Sequence, residues 1–133
     1  VVKVNEFWGV LGAKVVNLTT EAHDNIVART SHLPHVVASA LVNAILGKPV
    51  TGESDFIGTG FIDTTRLASG SPTMWRDIAL TNSEAIQKAI NGLQLELSEL
   101  KNALATKDGT ALENFFKEGK TLRDQWLEGG EKK

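Results

Sequence analysis

A proline lies inside the most helix-like segment of this chain, the apolar run of residues 23–46. Proline has no backbone N–H, and its ring clashes with the carbonyl group four residues back, so a regular helix cannot pass through it undisturbed. The motif Thr30-Ser31-His32-Leu33-Pro34-His35 therefore predicts a helix that is kinked at Pro34, with the carbonyl of Thr30 left without its usual partner. Strained backbone of this kind is concentrated at functional sites, which makes this motif the first candidate for one.

The ends of this helix are also marked in the sequence. Thr19 or Thr20 offers a hydroxyl group as the N-cap, and Glu21 lies in the first turn, where the helix dipole favours an acidic side chain. Gly47 is a typical stop signal. Residues 36–46 are apolar on more than one face, which is typical of a helix that is buried in a core or in a subunit interface.

The other segments predict helices as well. Short helices are expected at residues 4–13, 61–69 and 72–80, the last with Ser71 as its N-cap and Pro72 at its first position. A long amphipathic helix, capped by Asn82 or Ser83, should extend to about residue 105, followed by a turn at residues 106–109 and a last helix over about 110–127. The apolar positions expected to face a core in these two long helices are Ile86, Ile90, Leu93, Leu97, Leu100, Leu104, Leu112, Phe115, Phe116, Leu122 and Trp126. The predicted class is all-α, a bundle of long helices joined by short turns, with residues 129–133 as a flexible tail.

Composition limits the kinds of partner. The 133 residues are enough for one domain, and the net charge of −2 gives no reason to expect nucleic acid or an anionic membrane surface. No apolar run reaches the ~18 residues that a membrane span needs. The absence of cysteine excludes disulfides and thiolate metal sites. The chain starts without methionine or a signal-peptide pattern, so we expect a piece of a longer, cytoplasmic protein.

Three histidines could suggest a metal site, but their spacing does not favour one. His32 and His35 are three residues apart and share a helix face, whereas His23 lies about 180° around the helix from His32. No ExxH or HExxH pattern supplies further ligands, so no metal is predicted. The simpler interpretation of His32 and His35 is a pair of core histidines hydrogen-bonded to carbonyl groups of the kink.

Arg66 follows Asp63 by three residues, and two interpretations remain open from the pattern alone. The pair could form an intrahelical salt bridge on a solvated face. Alternatively, the guanidinium group could bind both oxygens of a ligand's carboxylate, and the apolar neighbours Phe61 and Leu67 predict the partial burial that would make such a ligand useful. Trp75, which follows a Ser-Pro helix start, is by itself more typical of a core residue. No GxGxxG or GxxxxGK motif indicates a nucleotide-phosphate site in these residues.

Several motifs together resemble the C-terminal helical domain of the prephenate dehydrogenase family, which includes the arogenate dehydrogenases. The resemblance extends from about Val4 to Arg123 and rests on motifs in the same order and spacing. These are Phe7-Trp8-(x)3-Gly12-Ala13, His23-Asp24, Ala28, Ser31-His32-Leu33-Pro34-His35, Gly60-Phe61, Asp63, Thr65-Arg66-Leu67-Ala68, Met74-Trp75-Arg76-Asp77-Ile78 and Asn82.

The resemblance implies that residues 1–128 are a substrate-binding and dimerisation domain. In this family an N-terminal Rossmann domain binds NAD or NADP, and the enzyme oxidatively decarboxylates prephenate to 4-hydroxyphenylpyruvate in tyrosine biosynthesis. The hydroxyl-activating histidine belongs to that N-terminal domain, so these 133 residues contain no catalytic residue and should be inactive alone. The expected partners are prephenate or arogenate and a second copy of the chain. An arogenate dehydrogenase domain and a non-catalytic helical interaction module are the alternatives, and the second has no need of Arg66 or His35.

The resemblance also assigns roles to single residues. Arg66 matches the arginine that holds the ring carboxylate of the substrate, and His35 matches the pocket histidine. Trp75 matches a tryptophan near that arginine, and Asp63 matches an acid that reaches the pocket of the neighbouring subunit. Four further residues are expected to support these side chains without contacting the substrate: His32, Ser31, His23 and Asp24.

Overall fold

The computed structural model describes residues 2–48 and 51–130, without the side chains of residues 53, 54 and 130. Throughout that part of the chain the regular structure is helical, which confirms the predicted all-α class. The α-helices are α1 (Val2–Val10), α2 (Thr20–Val27), α3 (Leu33–Leu46), α4 (Thr59–Thr65), α5 (Pro72–Thr81), α6 (Ser83–Thr106) and α7 (Gly109–Gly130). A π-helical turn (Ala28–His32) joins α2 to α3, and 3₁₀ turns occur at Glu53–Phe56 and Arg66–Ser69.

The predicted caps of α2, α3 and α5 are confirmed. Thr19 is extended and its hydroxyl accepts a hydrogen bond from the N–H of Ala22 at 3.1 Å, so Thr19 is the N-cap and Thr20 the first helical residue. Ser71 accepts in the same way from the N–H of Met74 at 3.5 Å, ahead of Pro72. The last residue of α3 is Leu46, immediately before Gly47.

The disturbance predicted at Pro34 takes the form of the π-helical turn. The N–H of Leu33 donates to the carbonyl of Ala28, five residues back instead of four. In that register the missing N–H at position 34 falls opposite the carbonyl of Arg29, one residue earlier than the predicted Thr30. The additional residue in the turn accommodates the proline ring, and α3 continues from Leu33 with Pro34 in its first turn.

The chain divides into two compact units, Val1–Ala89 and Ile90–Lys133, with the boundary inside α6. In the first unit, α3 packs against the 3₁₀ turn Arg66–Ser69 and against α4. The buried apolar residues of this unit are Ala28, Ala38 and Ile86. Two of these three are alanines, which allow helix backbones to approach closely. No large side chain among the described residues is fully buried.

The second unit consists of the later part of α6 and α7, joined by a tight turn at the predicted place. Lys107 adopts the left-handed conformation, with φ of 52°, and the Asp108 side chain accepts from the N–H of Ala111 at 3.0 Å as the N-cap of α7. This helix continues to Gly130, three residues beyond the prediction, so Gly129 and Gly130 belong to it, and residues 131–133 lie outside the described part of the chain.

Several apolar side chains that were predicted to face a core are exposed instead. The spacing of three and four residues correctly indicated a helix, but it could not indicate which apolar positions another element covers. Ile86 is buried, and Ile90, Leu93, Leu100, Leu112 and Phe115 are half-buried. The core prediction is wrong for Leu97, Leu104, Phe116, Leu122 and Trp126, which are 52–74% exposed.

Candidate functional site

The centre of the candidate site is a stack of two rings from α3 and α5. The imidazole ring of His35 lies against the indole ring of Trp75, with centroids 3.5 Å apart and planes inclined by 14°. His35 is 8% exposed, and its burial lowers the pKa of the imidazole from its ordinary value of 6.5, which favours the neutral ring. The two residues are placed together by the start of α3 after the π-helical turn and by the Ser71-Pro72 start of α5.

Gly70 packs closely against both rings of this stack. A Cβ atom at position 70 would lie 2.6 Å from Nε1 of Trp75 and 2.8 Å from Cε1 of His35. Both distances are well below van der Waals contact, so only a glycine fits beside the two rings as they stand. The backbone of Gly70 is ordinary extended chain, with φ of −68°. Space, and not a left-handed conformation, therefore requires the glycine.

The stacked rings line a cavity of about 430 Å³ in the first unit. Its wall combines the two rings with small and apolar side chains, including Ala68, Pro72 and Ala79. A concave, mainly apolar surface with a few fixed polar groups is typical of a small-molecule site. The flat faces of the two rings suit a planar or six-membered ring.

A second cavity, of about 850 Å³, is lined by the predicted supporting residues. His23, Asp24, Ser31 and His32 all lie on it, opposite α5 residues that include Met74 and Asp77. Nδ1 of His23 is 3.0 Å from a carboxylate oxygen of Asp24, and both side chains are partly exposed. His32 lines both cavities, and its ring meets that of Trp75 edge to face at a centroid distance of 6.0 Å.

Arg66 and Asp63 are not among the residues that line either cavity. The prediction that Arg66 is partly buried is wrong, because its side chain is exposed at the start of the 3₁₀ turn Arg66–Ser69. Asp63 is also exposed, and the salt bridges found among the described residues do not include an Asp63–Arg66 pair. By contrast, Arg76 pairs with the neighbouring Asp77 at 2.7 Å. The structure thus brings His35 and Trp75 together and leaves the Arg66 guanidinium open to solvent.

Two residues of this region were not identified from the sequence as parts of the site. The sequence predicts a helix that ends just before Gly70, but nothing in the local pattern indicates its contact with the two rings. Asn82 was read as a helix cap, but its side-chain nitrogen bonds the carbonyl of Asp24 at 2.8 Å, 58 residues away in sequence. A contact of that range has no local signature.

Within residues 2–48 and 51–130, no three His, Cys, Asp or Glu side chains are grouped as metal ligands would be. None of the described helices combines the length and apolarity needed to cross a bilayer.

Comparison with known proteins gives consistent matches. The family model "Prephenate dehydrogenase, dimerization domain" matches residues 19–118. Cyclohexadienyl dehydrogenase of Zymomonas mobilis is 33% identical over 123 residues, which are 90% of this chain and 42% of that protein. Prephenate dehydrogenase of Bacillus subtilis is 34% identical over 120 residues, 84% of this chain and 31% of that protein.

Solved structures give the same result. Prephenate dehydrogenase from A. aeolicus in complex with hydroxyphenyl propionate and NAD+ is 37% identical, with a TM-score of 0.84 over 92% of this chain and 43% of that one. Synechocystis arogenate dehydrogenase is 26% identical, with a TM-score of 0.84 over 94% of this chain and 46% of that one. The chain spans less than half the length of each of these four relatives. Because the family model covers most of its residues, this chain belongs to the family of prephenate dehydrogenase dimerization domains.

Proposed function

We propose that this chain is the C-terminal part of a prephenate dehydrogenase, which converts prephenate to 4-hydroxyphenylpyruvate with NAD+ in tyrosine biosynthesis. The observation that carries the proposal is the His35–Trp75 stack at a cavity, built from motifs that the chain shares with this family. The neutral imidazole can donate or accept one hydrogen bond, and the indole face can contact the substrate ring.

Arg66 is the proposed ligand of the substrate's ring carboxylate. Its guanidinium group is exposed, and among the described residues no carboxylate forms a salt bridge with it, so it can bind an anion in bidentate geometry. Asp63, exposed on α4, is proposed to reach the site of a second copy. We propose that the residues that support the substrate-binding side chains are those lining the larger cavity, His32, Ser31, His23 and Asp24.

The cofactor is proposed to bind outside these residues. The sequence contains no GxGxxG or GxxxxGK motif, so these residues do not fit the phosphates of NAD or NADP. When bound by a preceding Rossmann domain, the cofactor would accept the hydride, while this chain binds and orients the substrate. The apolar surface of α1 supports such a domain, because Phe7 and Trp8 are 61% and 49% exposed and lie before the matched residues 19–118.

The chain is also proposed to form a homodimer. Its family model describes a dimerization domain, and α3 offers a helix of strongly apolar composition with several half-buried side chains. The non-catalytic helical module is the weaker candidate. A scaffold has no need of an exposed arginine at position 66 or of a histidine at a cavity at position 35, and both are present.

The test is nicotinamide reduction by the full-length protein with prephenate and NAD+, followed by arogenate and NADP+. We expect turnover with prephenate and NAD+. Arg66→Ala should raise the KM for the substrate by ~10–100-fold, because a charge-assisted bidentate contact is lost. The KM for the cofactor should change by less than about 2-fold.

Arg76→Ala is the matched control, because this exposed arginine is already paired with Asp77. It should change the substrate KM by less than about 3-fold. Equal effects of Arg66→Ala on substrate and cofactor would refute the carboxylate role. No turnover with any of the four combinations would favour the non-catalytic module.

A further inference from the structure

Asn82 makes two contacts to the segment that precedes α3, one to α2 and one to the π-helical turn. It lies between α5 and α6 in a non-helical conformation, with φ of −116° and ψ of 35°, and its side chain is half-buried. Its Nδ2 atom is 2.8 Å from the carbonyl oxygen of Asp24 and 3.4 Å from Nδ1 of His32. The two contacts are eight residues apart and enclose most of the π-helical turn.

The chemistry of these contacts fixes the direction of each hydrogen bond. A carbonyl oxygen only accepts, so the group facing Asp24 must be the amide nitrogen of Asn82, not its oxygen. That nitrogen carries two hydrogens and can therefore donate to both partners. Nδ1 of His32 can take part only as an acceptor, which places the ring proton of the neutral imidazole on Nε2.

We propose that Asn82 is a positioning residue that holds His32 in the Nε2–H tautomer. The rings of His32 and Trp75 meet edge to face, and Trp75 in turn stacks on His35, so the orientation that Asn82 gives to His32 affects both rings of the site. His32 borders both cavities, and its Nε2–H is then the donor available to a ligand acceptor such as a carboxylate or carbonyl oxygen. Only this last step, the identity of the ligand, rests on the proposed function.

His23 provides an internal contrast. Its Nδ1 lies 3.0 Å from a carboxylate oxygen of Asp24, which only accepts, so there Nδ1 is the donor. The same residue, Asp24, therefore contacts Asn82 through its backbone and His23 through its side chain. A change at Asn82 should alter the nitrogens of His32 and leave those of His23 in place.

The experiment is ¹⁵N NMR of the histidine ring nitrogens in the full chain at a pH of about 8.5, two units above the ordinary imidazole value. We expect the unsubstituted chain to show His32 as a single Nε2–H tautomer. In Asn82→Asp the carboxylate can only accept, so His32 should change to the Nδ1–H tautomer while His23 is unchanged. In Asn82→Leu, which has a similar shape and no polar atom, His32 should show a mixture.

A purely structural role of Asn82 would lower the thermal stability of the variants without changing the tautomer of His32, and that result would overturn the proposal. An Nδ1–H or mixed tautomer in the unsubstituted chain would overturn it as well, even if neither variant folds. No substrate or cofactor is present in these spectra. A protein without dehydrogenase activity but with the expected tautomers would thus refute the proposed function and not the role of Asn82.

Discussion

Replacing Gly70 by alanine tests whether the His35–Trp75 stack is held as tightly as the structure indicates. The added Cβ would lie 2.6 Å and 2.9 Å from Nε1 and Cδ1 of Trp75, and 2.8 Å from Cε1 of His35. Carbon atoms in contact are normally ~3.5–4.0 Å apart, so the rings or the backbone of residue 70 must move by ~1 Å. Neither ring can turn away freely, because each is packed against the other.

The expected loss of stability follows from these contacts. Forcing a methyl group into a packed site typically costs ~1–3 kcal/mol, and losing an aromatic stack costs ~0.5–1.5 kcal/mol. We therefore expect Gly70→Ala to lower the free energy of unfolding by about 2 kcal/mol. For a chain of this length that corresponds to a decrease in Tm of ~6–10 °C.

The measurement is thermal and denaturant unfolding at one fixed protein concentration, because an oligomer's stability depends on concentration. Gly92→Ala is the matched control. Gly92 is exposed in the middle of α6, and a Cβ there would meet nothing within 4 Å. The same substitution should therefore stabilise that helix by ~0.5–1 kcal/mol.

The two substitutions should change the free energy of unfolding in opposite directions. If Gly70→Ala is as stable as the unsubstituted chain, or gains stability as Gly92→Ala should, the rings at this site can separate without loss and the stack is not a fixed wall. On the function proposed above, Gly70→Ala in the full-length protein should also raise the KM for prephenate, whereas Gly92→Ala should not. A normal KM in a destabilised Gly70→Ala would separate the stack's structural role from substrate binding.

Two further predictions concern the titration of His35 and the dimer. Burial lowers the pKa of His35 in the folded state, so the unfolded chain binds this proton more readily. The neutral His35 ring therefore makes its full contribution to the free energy of unfolding above pH 6.5, and this contribution is lost as the pH falls below 6.5. His35→Phe, which keeps an aromatic ring against Trp75, should flatten that part of the stability–pH curve, and an unchanged curve would contradict the assignment. The 133-residue chain should sediment as a dimer at micromolar concentration, and the substitution Leu41→Asp on α3 should convert it to a monomer. If the unsubstituted chain is already monomeric, the proposed dimer is refuted.

Local signals were sufficient to predict most of the helix boundaries. Thr19, Ser71 and Gly47 act through backbone groups within four residues of themselves, so their effects can be read from sequence. Pro34 gave the position of the helix disturbance, but not the choice between an α-helical register, with the missing N–H opposite the carbonyl of Thr30, and a π-helical one, with it opposite that of Arg29. That choice depends on how the neighbouring turns repack.

The site could be predicted from sequence only in part. The family motifs named His35 and Trp75, and the structure brings them together. The fit of Gly70 between them and the bond from Asn82 to Asp24 depend on tertiary distances, which no spacing encodes. The exposure of Arg66 was mispredicted because Phe61 and Leu67 were expected to bury it, whereas Leu67 is itself 40% exposed.

The small core of the first unit explains why polar contacts matter at this site. The buried apolar residues there are two alanines and one isoleucine, and many larger apolar side chains remain exposed. Close helix packing through alanines brings backbones together but fixes side-chain directions poorly, because few large side chains interlock. The direction of the His32 ring must then come from specific contacts, and the described part of the chain provides such contacts from Asn82 and Trp75. We therefore expect substitutions at Asn82 to disturb the geometry of the site more than the overall stability of the fold.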